Sequence, residues 1–263
     1  MNRQTVPAGA GDGTVGKALD VLDAVAGFGR PVRFAELLDR SPFPKATLYR
    51  LLQTLTNQGM LSYDEAAQTY APGLRLVRLA HAAWAQSSLA PIARPFLDAL
   101  SERVGETIHL AQLDQGQVIY VDKRNAQKPI QMYSAAGKVG PGYCTGVGKT
   151  MMAFLPEAER GTAVRQQSFF AHTPNTLTSP EALEAELARI RHDGIGFDRE
   201  EHEPGIICVA APILTSAGRV IGALSITTST QRNTLDGLAR LRPALTETAN
   251  RIAEAAKDWQ FPA

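Results

Sequence analysis

The chain is poor in several things, and each shortage excludes a class of protein. It has two cysteines in 263 residues, Cys144 and Cys208, far apart in sequence. That rules out a disulfide-stapled scaffold and fits a reduced, cytoplasmic protein. Its net charge is +1, too little for a protein that coats nucleic acid without regard to sequence. No apolar run approaches the length of a membrane span, and residues 1–13 lack the pattern of a signal peptide. His109, His172, His192 and His202 lack metal-ligand spacing, so no metal and no cofactor are expected. With 44% hydrophobic and 20% charged residues, the bulk reads as globular, with room for one large or two modest domains. The Gly/Ala-rich stretch 1–13 reads as a mobile tail.

The clearest positive signal lies between Pro31 and Pro72. Residues 34–39 read as a short helix, 40–43 as a tight turn, and about 44–58 as a second helix stopped by Gly59. Residues 60–63 and 68–70 then flank a polar tip. This is the order of a winged helix-turn-helix, which sets one helix in the major groove of DNA. Leu48, Leu51, Leu52 and Leu55 share one face of the second helix. Ala46, Arg50, Gln53 and Asn57 point the other way, with Lys45 beside them and Tyr49 and Thr54 at the flanks. Arg grips guanine or phosphate, Gln and Asn suit adenine edges, and Ala46 is small enough to meet a thymine methyl. Pro44 suits a first helical turn. Ahead of this unit, Val15, Ala18, Leu19, Leu22 and Val25 form a supporting stripe. After it, Pro72-Gly73 breaks the pattern and residues 74–86 read as a linker helix suited to packing against a second subunit.

From Leu89 the texture changes. A helix over 92–104 is followed by strands over 107–113, 118–122 and 130–134. A glycine-rich loop, 137–148, precedes a helix over 149–155. Thr178-Ser179-Pro180-Glu181 opens another helix that stops at Gly194. Strands over 206–213 and 219–227 form a hairpin, and a last helix runs over 235–257. Hairpins mixed with helices predict an α+β domain with a mainly antiparallel sheet.

Two segments invite chemistry. The loop from Gly142 to Thr150 ends in Gly-Lys-Thr, but Tyr143 stands where a P-loop needs its first glycine. Its glycines still expose N–H groups ahead of a helix, a seat for a carboxylate or a plain strand-to-helix turn. The segment from Asp198 to Pro212 packs acids just before an apolar strand. Cys208 there either lines a pocket or is a buried core thiol. No nucleophile motif accompanies either cysteine.

Together, Gly16-Lys17-Ala18-Leu19, the stretch Lys45 to Leu52, Gly105-Glu106-Thr107-Ile108-His109-Leu110, Thr145-Gly146-Val147-Gly148-Lys149, and Asp198-Arg199-Glu200-Glu201 through Cys208-Val209-Ala210-Ala211-Pro212 resemble the IclR family of bacterial transcriptional regulators. The resemblance covers about residues 14–257. It implies a winged helix-turn-helix domain (14–72), a linker helix (73–88) and a GAF-like effector-binding domain (89–263). It also implies homodimers, often paired into tetramers, which read a pseudo-palindromic operator in double-stranded DNA, and no enzymatic activity. The implied effector is a small carboxylate or aromatic acid, held by Met132, Gly146, Val147, Asp198, Cys208, Ser225 and Thr227, and a repressor is the expected type. Residues 106–110 with Met132-Tyr133-Ser134 look most like the branch that senses sugar acids. The chain departs from the family at Ala46, where serine is usual, and at Gly142, where a bulky apolar residue is usual. Its wing tip, Asp64-Glu65, is acidic and would be repelled by phosphates. Two other classes remain open on sequence: an enzyme with an accessory DNA-binding domain, and a structural DNA-binding protein without an effector.

Overall fold

A computed structural model describes residues 13–259. The expected tail lies outside these residues except for Gly13, which opens the first helix. The chain divides into two compact units, residues 1–86 and 87–263.

The first unit runs α1 (Gly13–Ala26), β1 (Val32–Arg33), α2 (Phe34–Leu38), α3 (Lys45–Asn57), β2 (Leu61–Asp64), β3 (Thr69–Pro72) and α4 (Leu74–Ser87). Leu48, Leu51, Leu52 and Leu55 of α3 are buried against Val21, Leu22 and Val25 of α1, Leu37 of α2 and the foot of the hairpin at Leu61 and Tyr70. The α1 stripe is narrower than its sequence suggests. Val15 and Leu19 are 73% and 51% exposed, because at about 100° per residue they fall about 100° and about 140° away from the midpoint of Val21 and Val25. Pro44 is the residue just before α3 rather than its first turn. β2 and β3 form the wing, and the two-residue β1, too short to show an alternation, pairs with β3 as a third strand. Gly73 joins β3 to α4 in a space only glycine fits, since a Cβ there would lie 2.2 Å from the Gly59 carbonyl oxygen. The Gly73 N–H donates to the Met60 carbonyl at 2.8 Å. Arg75 Nη1 donates to both the carbonyl and the side-chain oxygen of Gln58 at 2.9 Å. The first turn of α4 is thus bolted to the last turn of α3. Leu74, Val77 and Leu79 of α4 are exposed.

The second unit runs α5 (Ala90–Val104), β4 (Thr107–Asp114), β5 (Gln117–Arg124), β6 (Val139–Pro141), α6 (Gly146–Ala153), α7 (Glu157–Arg165), α8 (Pro180–Asp193), β7 (Gly196–Arg199), β8 (Ile206–Leu214), β9 (Val220–Ser229), α9 (Leu235–Ala239) and α10 (Arg242–Ala255). Its six strands make one antiparallel sheet in the order β6-β5-β4-β9-β8-β7. Three expectations need correction. Residues 130–134 are not a strand; that segment hydrogen-bonds to side chains instead, with the Tyr133 N–H donating to Glu203 and Lys123 donating to the Ser134 carbonyl. The glycine-rich stretch contributes β6 and the start of α6, which begins at Gly146 rather than 149. The final helix is two, because the chain turns at Leu241 and restarts with Pro243 in the first turn of α10.

Alternation gives the sheet two unlike faces. Ile108, Leu110, Val209, Ala211, Leu224 and Ile226 point to the side packed by α5 and α10, and all are fully buried. The other face meets α6, where Ala111, Ala210 and Ala223 pack on Val147 and Met151.

Candidate functional site

In the first unit, Lys45, Ala46, Tyr49, Arg50, Gln53 and Asn57 are all exposed on α3. Their state of readiness differs. Gln53 Nε2 donates to the Tyr49 hydroxyl at 3.0 Å, and the Tyr49 ring meets Phe34 edge-on at 6.1 Å. Gln53 must therefore break a bond before it can read a base, whereas the Arg50 side chain has no partner among the described residues. Beside them a concavity of about 760 Å³ lies between α3, α2 and the wing, walled by Arg33, Phe34, Tyr63 and Tyr70. Sequence reasoning missed Arg33 and this aromatic wall, since their convergence depends on β1 pairing with β3. One acid of the wing tip is turned into its own loop. Asp64 Oδ1 accepts the N–H groups of Ala66 and Ala67, at 2.9 and 3.0 Å.

In the second unit, strand register assembles a polar patch on the α6 face. One row across the sheet is Asp198, Cys208, Thr227 and Thr107. The next is Gly196, Ala210, Ser225, His109 and Lys123. Neighbouring strands lie about 4.8 Å apart, so hydroxyls in adjacent rows reach common partners. His109 is the centre of this patch and was not among the residues expected from sequence. Its Nδ1 lies 3.2 Å from both Ser225 Oγ and Thr227 Oγ1, and its Nε2 lies 2.7 Å from Ser134 Oγ. Burial, and then the charge of Lys123, pull its pKa down to about 3. The ring is therefore a neutral imidazole, one nitrogen donating and the other accepting. The only advance signal was its alternation with Ala111 on the inward face of β4. Met132 lies half-buried in the covering loop, next to Tyr133.

The N-terminus of α6 abuts the patch. Thr145, which precedes it, donates its hydroxyl to the Pro141 carbonyl at 2.8 Å and caps none of the first-turn N–H groups. Gly146 is required by close approach, because a Cβ would lie 2.4 Å from Cys208 Sγ. The flank of α6 is thus closed against β8 by the Cys208 sulfur. The same Cβ position lies 3.3 Å from the Asp198 backbone nitrogen and 3.6 Å from Ala210 Cβ, so the helix starts beside the polar rows.

Asp198 is buried, and its Oδ1 accepts the Glu201 N–H at 2.8 Å. Burial, with the Glu201 charge second, pushes its pKa up to about 7. The folded state therefore keeps a proton that the unfolded chain loses near pH 4, and stability falls as pH rises between about 4 and about 7. We expect Asp198→Asn, which keeps the acceptor, to raise the melting temperature at pH 8 by clearly more than at pH 5, where only the first part of that loss has accrued. Thermal melts check this, and an equal shift at both pH values would contradict it.

Lys149 does not serve a phosphate. It is fully buried, its Nζ bonded to Glu201 and 3.7 Å from Glu186, which also accepts from Arg199 at 2.8 Å. It ties α6 to α8 and to the turn after β7. Nor do the cysteines offer nucleophiles. Burial pushes Cys208 up to about 12 and raises Cys144 well above the ordinary thiol range, so neither is a thiolate near neutral pH. Among the described residues no group of three or more His, Cys, Asp or Glu could hold a metal, and no helix is long and apolar enough to cross a membrane.

Comparison with known proteins agrees across both units. The family described as IclR helix-turn-helix domain matches residues 14–65, and bacterial transcriptional regulator IclR C-terminal matches residues 81–254. The chain is 32% identical over 242 residues to the HTH-type transcriptional regulator XynR of Escherichia coli K12, covering 92% of this chain and 96% of that one. It is 31% identical to the DNA-binding transcriptional repressor YiaJ of the same organism, over 93% of this chain and 88% of the other. The crystal structure of the Thermotoga maritima IclR superposes with a TM-score of 0.73 at 29% identity, over 93% of this chain and 98% of that one. An exposed reading helix with a wing, joined in one chain to an α+β unit with an inward polar patch, and matched along nearly its whole length, makes this protein a member of the IclR family of DNA-binding transcriptional regulators.

Proposed function

We propose that this regulator is a repressor that leaves its operator when a small hydroxylated or keto carboxylate binds in the second unit. The observation that carries the proposal is the polar patch. His109, Ser225, Thr227 and Asp198 are all buried on the α6 face of the sheet, and they lie beside the uncapped N-terminus of α6. Helix N-termini favour anions through their free N–H groups and dipole. The ligand carboxylate takes the N–H groups of Gly146 and Val147. Its hydroxyl or keto oxygens exchange with the bonds now made among His109, Ser225 and Thr227, and Asp198 accepts from a hydroxyl or donates its own proton. Cys208 and Met132 complete the wall. The repressor sense is supported by the name of the YiaJ relative.

With a chain so nearly neutral, one winged helix binds DNA weakly. A homodimer reading a pseudo-palindromic operator supplies the second half-site, and the exposed Leu74, Val77 and Leu79 of α4 offer apolar surface for pairing. The test is a thermal-shift screen of sugar acids and keto acids, followed by anisotropy titrations with operator DNA. A ligand that stabilises the protein should release the DNA. Ser225→Ala should weaken that ligand about tenfold, the loss of one buried hydrogen bond to a bound polar group. An acid that binds without altering DNA affinity, or binds Ser225→Ala unchanged, would defeat the reading.

A further inference from the structure

The polar face does not end at Cys208 and Thr227. One more paired row follows, Ile206 with Ser229. There a cleft of about 500 Å³ opens, with residues 128–131 on one wall and Gly205, Ile206, Ser229 and Arg232 on the other. Its lining holds two cations, Lys128 and Arg232, and no carboxylate. The cations are not equivalent. Arg232 is committed, donating to the Lys128 carbonyl at 2.9 Å and lying 3.5 Å from Glu106. Lys128 is exposed, and its ammonium has no partner among the described residues.

Register gives the spacing. Gly146 seats against Cys208, and Ile206 is two residues further along the same strand, about 7 Å away. That matches the reach of a chain of about five or six carbons, with C–C bonds near 1.5 Å. Resting on the reading that one carboxylate sits at the N-terminus of α6, we infer that this cleft is a second anion subsite and that the effector is a diacid. One acid group meets the α6 N–H groups, the hydroxylated or keto chain runs along β8 from the Cys208–Thr227 row to the Ile206–Ser229 row, and the second acid group meets Lys128. A monoacid leaves Lys128 facing water alone. A diacid gains charge-assisted hydrogen bonds there, which are about twice as strong as neutral ones, and the cleft sets no acid of its own against it.

The experiment is calorimetry on the full chain at fixed ionic strength, with two matched pairs: gluconate and glucarate, and 2-oxopentanoate and 2-oxoglutarate. In at least one pair the diacid should bind about tenfold more tightly than its monoacid, the increment expected of one added bond to a charged group. Lys128→Glu should erase that preference while leaving the monoacid within about twofold, whereas Ser225→Ala should weaken both members alike. A wild-type protein indifferent to the second acid overturns the subsite and leaves the carboxylate site standing. So does a Lys128→Glu that slows association of both acids equally with their affinity ratio intact, which would make the cleft an entry mouth. If no acid of either pair binds, the carboxylate site fails and the subsite falls with it.

Discussion

Lys149→Met is expected to destabilise the second unit by about 3–5 kcal/mol, the usual result of removing one partner from a buried ion pair. The ammonium it deletes is wholly inside the protein, between Glu201 and Glu186. Glu186 keeps Arg199 and Arg189. Glu201 keeps only the Arg199 N–H, at 3.3 Å, and its second oxygen is already unpartnered. The variant thus strands a buried carboxylate where α6, α8 and the turn after β7 meet. Adding Glu201→Gln removes the stranded charge, so the double variant should recover a large part of the loss. Denaturant titrations of the wild type, both single variants and the double variant measure the coupling. If Lys149→Met is as stable as the wild type, or the second substitution only adds to the damage, the strut we assign to Lys149 is wrong.

Arg50→Ala should abolish specific operator binding without altering the fold. Arg50 stands on the exposed face of α3 and needs to break no existing contact to reach DNA. Its loss should cost about 1–3 kcal/mol per half-site, the discrimination of one good bidentate base contact, and a dimer loses it twice. Gln53→Ala should cost less, because Gln53 must first give up its bond to Tyr49. Anisotropy with operator and with scrambled DNA at one salt concentration separates base reading from phosphate attraction. Equal loss on both DNAs would make Arg50 a phosphate contact, and no loss on either would move the docking face off α3.

Much of this architecture was readable because its signals are local. Leu48, Leu51, Leu52 and Leu55 announce a helix by spacing alone, and Ser225 with Thr227 announce a shared face by alternation. The failures share a different cause. Ile130, Met132 and Ser134 alternate like a strand, yet the Tyr133 N–H and the Ser134 carbonyl are taken by Glu203 and Lys123, and nothing near residue 130 reveals those partners. Lys149 follows a run of glycines that reads as if built for phosphate, and its true partner is 52 residues away. His109 looks like any inward residue of a buried strand until register sets it beside Ser225 and Thr227. Its importance belongs to the pairing of β4 with β9, which no single stretch of chain contains.

The splice at Gly73 has a mechanical consequence. α3 and α4 are separated in sequence by the whole wing, but the contacts of Gly73 and Arg75 with residues 58–60 leave no slack between their ends. A helix of 14 residues is a stiff rod roughly 21 Å long. A sideways push of about 2 Å at its free end turns it through about 5° by that length, and a bolted joint hands the rotation to the reading helix instead of absorbing it in a hinge. Lengthening the joint by a single residue after Gly73 would insert the missing slack. The winged helix would keep its grip on DNA, and the lever would no longer have anything to turn.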